Sequence, residues 1–193
     1  MRAAEKLAKG KKIRIWKNYT PPDTTPLAQF QGVVVEINSA DTLTVEDSAG
    51  EEHRVSLSSI RVPFAGTRDG QKKPEPFALE AREALRALAI GKRASVSVEY
   101  ERRSRDKAGN ERTDVPPRQS GTVRIGKLNA AIELVRQGLA TVVRHRPDEP
   151  RSAEYDQLQD EQINAEKLTV GIHGNRSKAR KAPLDVTRDS QKV

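Results

Sequence analysis

Gly121-Thr-Val-Arg-Ile-Gly-Lys-Leu-Asn-Ala-Ala-Ile-Glu-Leu-Val-Arg-Gln-Gly-Leu-Ala-Thr-Val-Val143 is the stretch from which the fold is read. It predicts a strand, a tight turn, a short amphipathic helix, a glycine stop at Gly138 and a second strand. Period-two apolar residues give way to period 3.6 and back again within one short run. That succession belongs to a domain mixing a sheet with packed helices.

The rest of the chain extends the pattern upstream and downstream. A Val-rich run at Gln31–Asn38, the turn Ser39-Ala-Asp41 and Thr42–Glu46 predict two strands. Asp47-Ser-Ala-Gly50 is a hairpin turn whose glycine supplies positive φ, and Glu52–Leu57 closes a three-stranded meander. Pro76–Ile90 carries Phe77, Ala81, Ala84, Leu85 and Leu88 at helical spacing and stops at Gly91. Arg93–Arg103 alternates as a long strand with Val96 and Val98 on one face. Arg118–Ile125 is the next strand, Leu128–Gln137 a helix and Leu139–Arg144 a strand end. Ala153–Leu168, with Tyr155, Leu158, Ile163 and Ala165, is the closing helix. The expected class is α+β, mainly β. Five strands close on themselves, with one of three helices between the third and fourth, as in an oligonucleotide/oligosaccharide-binding (OB-fold-like) barrel.

Composition narrows the function. Aromatics make up 4% of the chain and charged residues 32%, which suits one compact core under a solvated surface. The absence of cysteine excludes disulfide and thiolate-metal frameworks. No apolar run approaches the ~18 residues that span a membrane, so no membrane partner is expected. The basic start contains Glu5 and no serine, unlike a transit peptide.

The net charge of +8 is unevenly held. Residues 1–19 have seven Lys/Arg against Glu5 (+6), and residues 176–193 have six against Asp185 and Asp189 (+4). That leaves −2 for residues 20–175, so the basic character sits in the tails. Tail charge binds phosphates without a shaped site, and the pI alone is therefore a weak nucleic-acid signal.

Ala4-Glu-Lys-Leu7 recurs as Ala165-Glu-Lys-Leu168. An Ile-aromatic pair follows each copy, Ile15-Trp16 and Ile172-His173. This predicts that residues 1–19 are the tail of a preceding repeat, the alternative being coincidence between two Ala/Lys/Glu-rich helices. Residues 20–30, with Thr20-Pro-Pro-Asp-Thr-Thr-Pro26, form a Pro-rich linker, 31–175 the domain, and 176–193 a basic linker toward a next repeat.

Five segments carry a family resemblance: Lys12-Ile-Arg-Ile-Trp-Lys-Asn-Tyr-Thr-Pro-Pro22, Leu57-Ser-Ser-Ile-Arg-Val-Pro63, Phe77-Ala-Leu-Glu-Ala-Arg-Glu-Ala-Leu85, Gly138-Leu-Ala-Thr-Val-Val-Arg144 and Leu184-Asp-Val-Thr-Arg-Asp-Ser-Gln-Lys192. The chain resembles one staphylococcal-nuclease-like repeat of the Tudor-SN family, the third, cut from a longer protein. The resemblance implies a cytoplasmic protein, found also in the nucleus, that binds RNA. It further implies links to RNA silencing, to edited double-stranded RNA and to transcriptional coactivation. Expected partners are RNA, neighbouring repeats of the same chain, and RNA-silencing or transcription proteins.

Active relatives of that fold hold one calcium with carboxylates, activate water with a glutamate and steady the transferring phosphate with two arginines. Calcium takes about six to eight hard oxygen ligands, and developing phosphate charge needs fixed cations. The resemblance puts Asp41 at the first metal carboxylate and Ser56 at the first arginine. Arg61 falls at the second carboxylate, Phe64 at the general base and Arg118 at the second arginine. A cation at a ligand position repels calcium, and Phe64 takes no proton. Asp41 has the alternative of a turn residue capping a backbone N–H. The expectation is therefore a degenerate site with no catalytic residue, no metal and no cofactor.

Such a site still offers RNA contacts. Arg61 and Arg118 would make an anion site if they face each other, with Phe64 free to stack a base. The alternative is Phe64 packed on the barrel end and Arg61 solvated. Further candidates are Arg102, Arg103, Arg105 and Lys107 of the basic stretch 102–112, and Lys11, Lys12 and Arg14 of the N-terminal segment. The stretch 102–112 has no aromatic and also fits a solvated hairpin tip. His53, His145 and His173 show no metal spacing. The competing functions are a protein-interaction scaffold without RNA contact and a residual calcium-dependent nuclease.

Overall fold

The computed structural model describes residues 4, 7, 8, 10–17, 25–67, 71–103, 111–146 and 149–174. In chain order these form β1 (Ala28–Ser39), β2 (Thr42–Asp47), β3 (Glu52–Leu57), β4 (Ile60–Arg61), α1 (Ala78–Ala89), β5 (Arg93–Arg102), β6 (Arg118–Ile125), β7 (Leu128–Asn129), α2 (Ala130–Arg136), β8 (Thr141–Val142) and α3 (Tyr155–Lys167). Two 3₁₀ turns, Arg14–Trp16 and Gly171–His173, precede and follow this set.

Strand order is β3-β2-β1-β5-β6-β7, and β3 also pairs in parallel with β6. The five long strands thus close into a barrel and leave no free edge between β3 and β6. β4 and β8 form a separate two-stranded ribbon. Alternation on β5 sends Ala94, Val96 and Val98 inward, where they meet Val34, Leu43, Val55 and Val123, and a register shift separates Val98 from Tyr100. Leu85 of α1, Leu134 and Val135 of α2 and Leu158 of α3 cover the same core, each almost fully buried. Each such leucine contributes roughly 1.5–3 kcal/mol of transfer free energy.

Several element ends fall a few residues from the sequence expectation, and two of them have a clear cause. β1 begins at Ala28, inside the range given to the linker, because Ala28, Gln29 and Phe30 find partners in Val98, Ser97 and Val96. Leu128 and Asn129 pair with β6 before the helix begins. The Asn129 carboxamide oxygen then accepts from the Ala131 amide at 2.9 Å and the Ile132 amide at 3.4 Å, fixing the start of α2 at Ala130.

Glu99 ties the barrel to α3. Its carboxylate accepts from the Ser58 hydroxyl, from Thr122 Oγ1 at 3.0 Å, from Ser152 Oγ at 3.3 Å and from the Ala153 amide at 2.9 Å. Alongside, the Ser152 amide donates to Ser59 Oγ at 2.8 Å and the Ser59 amide to the Tyr100 hydroxyl at 3.2 Å. The turn joining β3 to β4 and the start of α3 are held to β5 by side chains as well as by packing.

The backbone hydrogen bonds among residues 7, 8, 11, 13, 14, 16 and 17 repeat those among 164, 165, 168, 170, 171, 173 and 174. The Lys11 amide donates to Leu7, Ile13 to Ala8, Trp16 to Ile13 and Lys17 to Arg14. Leu168 donates to Asn164, Val170 to Ala165, His173 to Val170 and Gly174 to Gly171. Positive φ falls at Lys12 (49°) and Arg14 (54°) and again at Thr169 (50°) and Gly171 (54°). This register aligns Ile15-Trp16 with Ile172-His173 but sets Ala8, not Ala4, against Ala165. The Ala-Glu-Lys-Leu match is therefore one helical turn out of register, and the 3₁₀ turn sets the correspondence.

Candidate functional site

Asp41 ends the turn after β1, and its carboxylate is engaged by hydroxyls. Oδ1 accepts from Ser39 Oγ at 2.6 Å and from Thr42 Oγ1 at 3.0 Å. Thr42 pairs across the sheet with Ser56, and their hydroxyls stand 3.1 Å apart. Arg118 Nη2 donates to Thr42 Oγ1 at 3.5 Å. Asp41, Ser56 and Arg118 are therefore brought together around one buried threonine. Among them only Arg118 is exposed.

Arg61 ends the short strand β4, and Phe64 follows it by three residues. Arg61 sits on the β4–β8 ribbon opposite Thr141. It lines a cavity of about 250 Å³ with Pro63, Glu75, Phe77, Thr141 and Ile172. Phe64 is 42% exposed, and its amide donates to Glu75 Oε2 at 2.8 Å. Arg61 is exposed and makes no ion pair among the described residues. It belongs to the ribbon and Arg118 to the barrel wall.

The basic stretch divides as well. Arg102 and Arg103 are exposed at the end of β5, whereas Arg105 and Lys107 lie outside the described residues. Arg112 is paired with Asp114. Lys11, Lys12 and Arg14 are exposed on the N-terminal turn.

The residues from Arg54 on through β3 to the second 3₁₀ turn match a family model described as staphylococcal nuclease homologue, over residues 54–174. The chain belongs to that family. Its curated relatives include "Ribonuclease TUDOR 1" of Arabidopsis thaliana, 35% identical over all of this chain and 23% of that protein. "Staphylococcal nuclease domain-containing protein 1" of Drosophila melanogaster is 34% identical over all of this chain and 22% of its own length. The Schizosaccharomyces pombe protein of the same name is 39% identical over 86% of this chain and 18% of its own length. These are proteins of the Tudor-SN type, and the chain spans about a fifth of their length. The staphylococcal nuclease barrel is thus shared, and what this copy does depends on its own side chains.

Three features of this nuclease homologue escape a sequence reading. Asp47, Glu51 and His53 gather on the β2–β3 hairpin with one ligand atom each within 4.8 Å of the others. His53 Nε2 lies 3.0 Å from Asp47 Oδ2, and that contact, with the Glu51 and Ala49 amides on Oδ1, holds the Asp47 carboxyl below its usual range. Only the hairpin, which folds 47 back on 53, could have signalled it. His145 is the second: its side chain is 1% exposed, and the edge of its ring meets Tyr155. Burial, and then the Arg102 charge, push its pKa down. The third is Arg54, two residues before Ser56 on β3 and exposed.

Proposed function

We propose that this chain is a non-catalytic nuclease-like barrel that binds double-stranded or structured RNA as one unit of a tandem array. The observation that carries this reading is the surroundings of Asp41. Its carboxylate accepts hydrogen bonds from two hydroxyls. Among the described residues the one three-membered group of possible metal ligands is Asp47, Glu51 and His53, which does not include it. One carboxylate does not meet calcium's demand for several hard oxygens. With Ser56, Arg61 and Phe64 at the other family positions, the residues do not fit a calcium site. A cation is retained at Arg118, so phosphate affinity outlives the chemistry.

The matching hydrogen bonds and positive φ of the two turns support reading residues 1–19 as the end of a preceding barrel; this barrel then begins with β1 at Ala28, and 176–193 lead to the next. Neighbouring barrels raise one another's effective concentration, so weak contact by each is sufficient. The name of the Arabidopsis thaliana relative includes "Ribonuclease". Cleavage in this family then resides outside this copy, while RNA silencing, transcriptional partners and a cytoplasmic and nuclear setting belong to the parent protein. No described helix is long and apolar enough to cross a membrane.

A scaffold without RNA contact is the second reading. It is favoured by arginines already held by local acids: Arg124 by Glu154, and Arg136 by Glu133 and Glu161.

The deciding experiment incubates the chain with labelled RNA, with calcium or with EDTA, and scores binding and cleavage together. Salt-sensitive binding that ignores calcium, without cleavage, supports the proposal. Calcium-dependent cleavage abolished by Asp41→Ala overturns it, and absence of any binding favours the scaffold.

A further inference from the structure

Arg102 of β5 stands directly opposite Arg118 of β6. Like charges in that relation oppose strand pairing. Side chains alternate along a strand, so Arg118 shares its face with Ser120, two residues on. Ser120 pairs with Ser56 of β3, and Arg54 lies two residues before Ser56 on the same face. Because Val55 stands opposite Gln119, Arg54 and Arg118 are the next neighbours along that parallel ladder. Arginines on three adjacent strands therefore line one face, and all three are exposed.

The acids nearby form no ion pair with them: Asp41 meets Arg118 only through the Thr42 hydroxyl, and Glu52, two residues before Arg54 on its face, pairs across the ladder with Glu46. Among the described residues no ion pair engages Arg54, Arg102 or Arg118. Glu101 lies on the opposite face of β5 and accepts from Gln119. Glu36 reaches this face only across Thr44, which stands between it and Arg54.

The row continues beyond β5. The Arg102 guanidinium lies 5.1 Å from the Tyr100 ring centre, and that of Arg151 lies 5.0 Å from the Tyr155 ring centre. Hydrogen bonds join the two places: the Ser59 amide donates to the Tyr100 hydroxyl, and the amide of Ser152, next to Arg151, donates to Ser59 Oγ. A guanidinium stacked on an aromatic face keeps its N–H edge available for a phosphate.

We propose that Arg54, Arg118, Arg102 and Arg151 form a phosphate track. It takes the backbone of an RNA strand across the ends of β3, β6 and β5 and on to the start of α3, without using Arg61 or Phe64. The proposal rests on the RNA reading above and adds the path. Four cations in a row, none of them in an ion pair among the described residues, burden the free protein with mutual repulsion. A polyanion relieves that repulsion at every position, and adjacent strands repeat the cation about every 4.8 Å.

The test is fluorescence anisotropy of the full chain with a short oligouridylate and with a short RNA duplex over a series of salt concentrations. Arg54→Gln, Arg102→Gln and Arg151→Gln should each weaken binding several-fold. Each should also lower the slope of log K against log salt by about 0.7–0.9. Arg102→Lys should keep the slope, and Arg86→Gln on α1, where the arginine is paired with Glu83, should change nothing. Unchanged slopes in all three glutamine variants of a chain that still binds RNA would overturn the track and leave the RNA reading standing. A wild-type chain that binds neither oligonucleotide at the lowest salt removes both. Polyglutamate binding with equal affinity and slope would reassign the row to an acidic protein partner.

Discussion

Gly138 and Gly171 meet backbone to backbone: the Ile172 amide donates to the Gly138 carbonyl at 2.8 Å, and a β-carbon built on Gly171 would overlap that carbonyl oxygen. Both glycines also have positive φ, at 65° and 54°. The contact joins the end of α2 to the turn that follows α3. Gly171→Ala is expected to cost about 2 kcal/mol or more through strain and overlap combined. Chemical denaturation would show this as a lower midpoint with little change in slope.

Glu99 holds four donors from three segments. Glu99→Ala should cost about 2–3 kcal/mol, because it leaves hydroxyl and amide donors without an acceptor. Glu99→Gln, which retains one acceptor oxygen, should cost less. A double-mutant cycle with Ser58→Ala is the measurement, and strict additivity would mean that the two side chains act independently.

His145 makes stability depend on pH in one direction. Its folded pKa lies below the ordinary value of 6.5 because burial and Arg102 disfavour the imidazolium, with Glu149 offsetting part of this. The unfolded chain therefore takes up the proton first as pH falls. The stabilisation is complete above about pH 6.5 and is lost progressively below it. His145→Phe should flatten the stability profile in that window, and an unchanged profile would assign the dependence to other groups.

Asn129 caps α2 with two amide bonds to one oxygen. Asn129→Ala should lower stability by about 1 kcal/mol, and Asn129→Asp should retain most of it. Thermal melts of the two variants side by side provide the comparison.

Much of the barrel was legible because its strands alternate cleanly and its turns carry glycine or aspartate. Val96 and Val98 against Ser95 and Ser97 give β5 its inner face, and Asp47 with Gly50 marks the hairpin. What escaped was what pairing decides at a distance. Ala28–Phe30 become strand only because β5 is long enough to receive them. Leu128-Asn129 reads as helix until β6 claims it. At the site, a family pattern points to Asp41, Ser56 and Arg118 only one by one. Thr42, the residue that joins them, had no signal because a buried threonine in a strand is unremarkable. Arg54 has no signal for a similar reason: an isolated arginine acquires meaning only when a parallel ladder sets it beside Arg118.

The matching turns at 14–16 and 171–173 have one difference with a physical consequence. Arg14 holds the left-handed backbone position that Gly171 holds in the other copy, and in this barrel any β-carbon there would collide with Gly138. The N-terminal turn is therefore excluded from this barrel's own seat despite sharing its backbone shape. When several such barrels fold on one chain, tails of like shape are the natural source of mispairing. A single side chain at the contact gives each tail a steric means of telling its own barrel from a neighbour's.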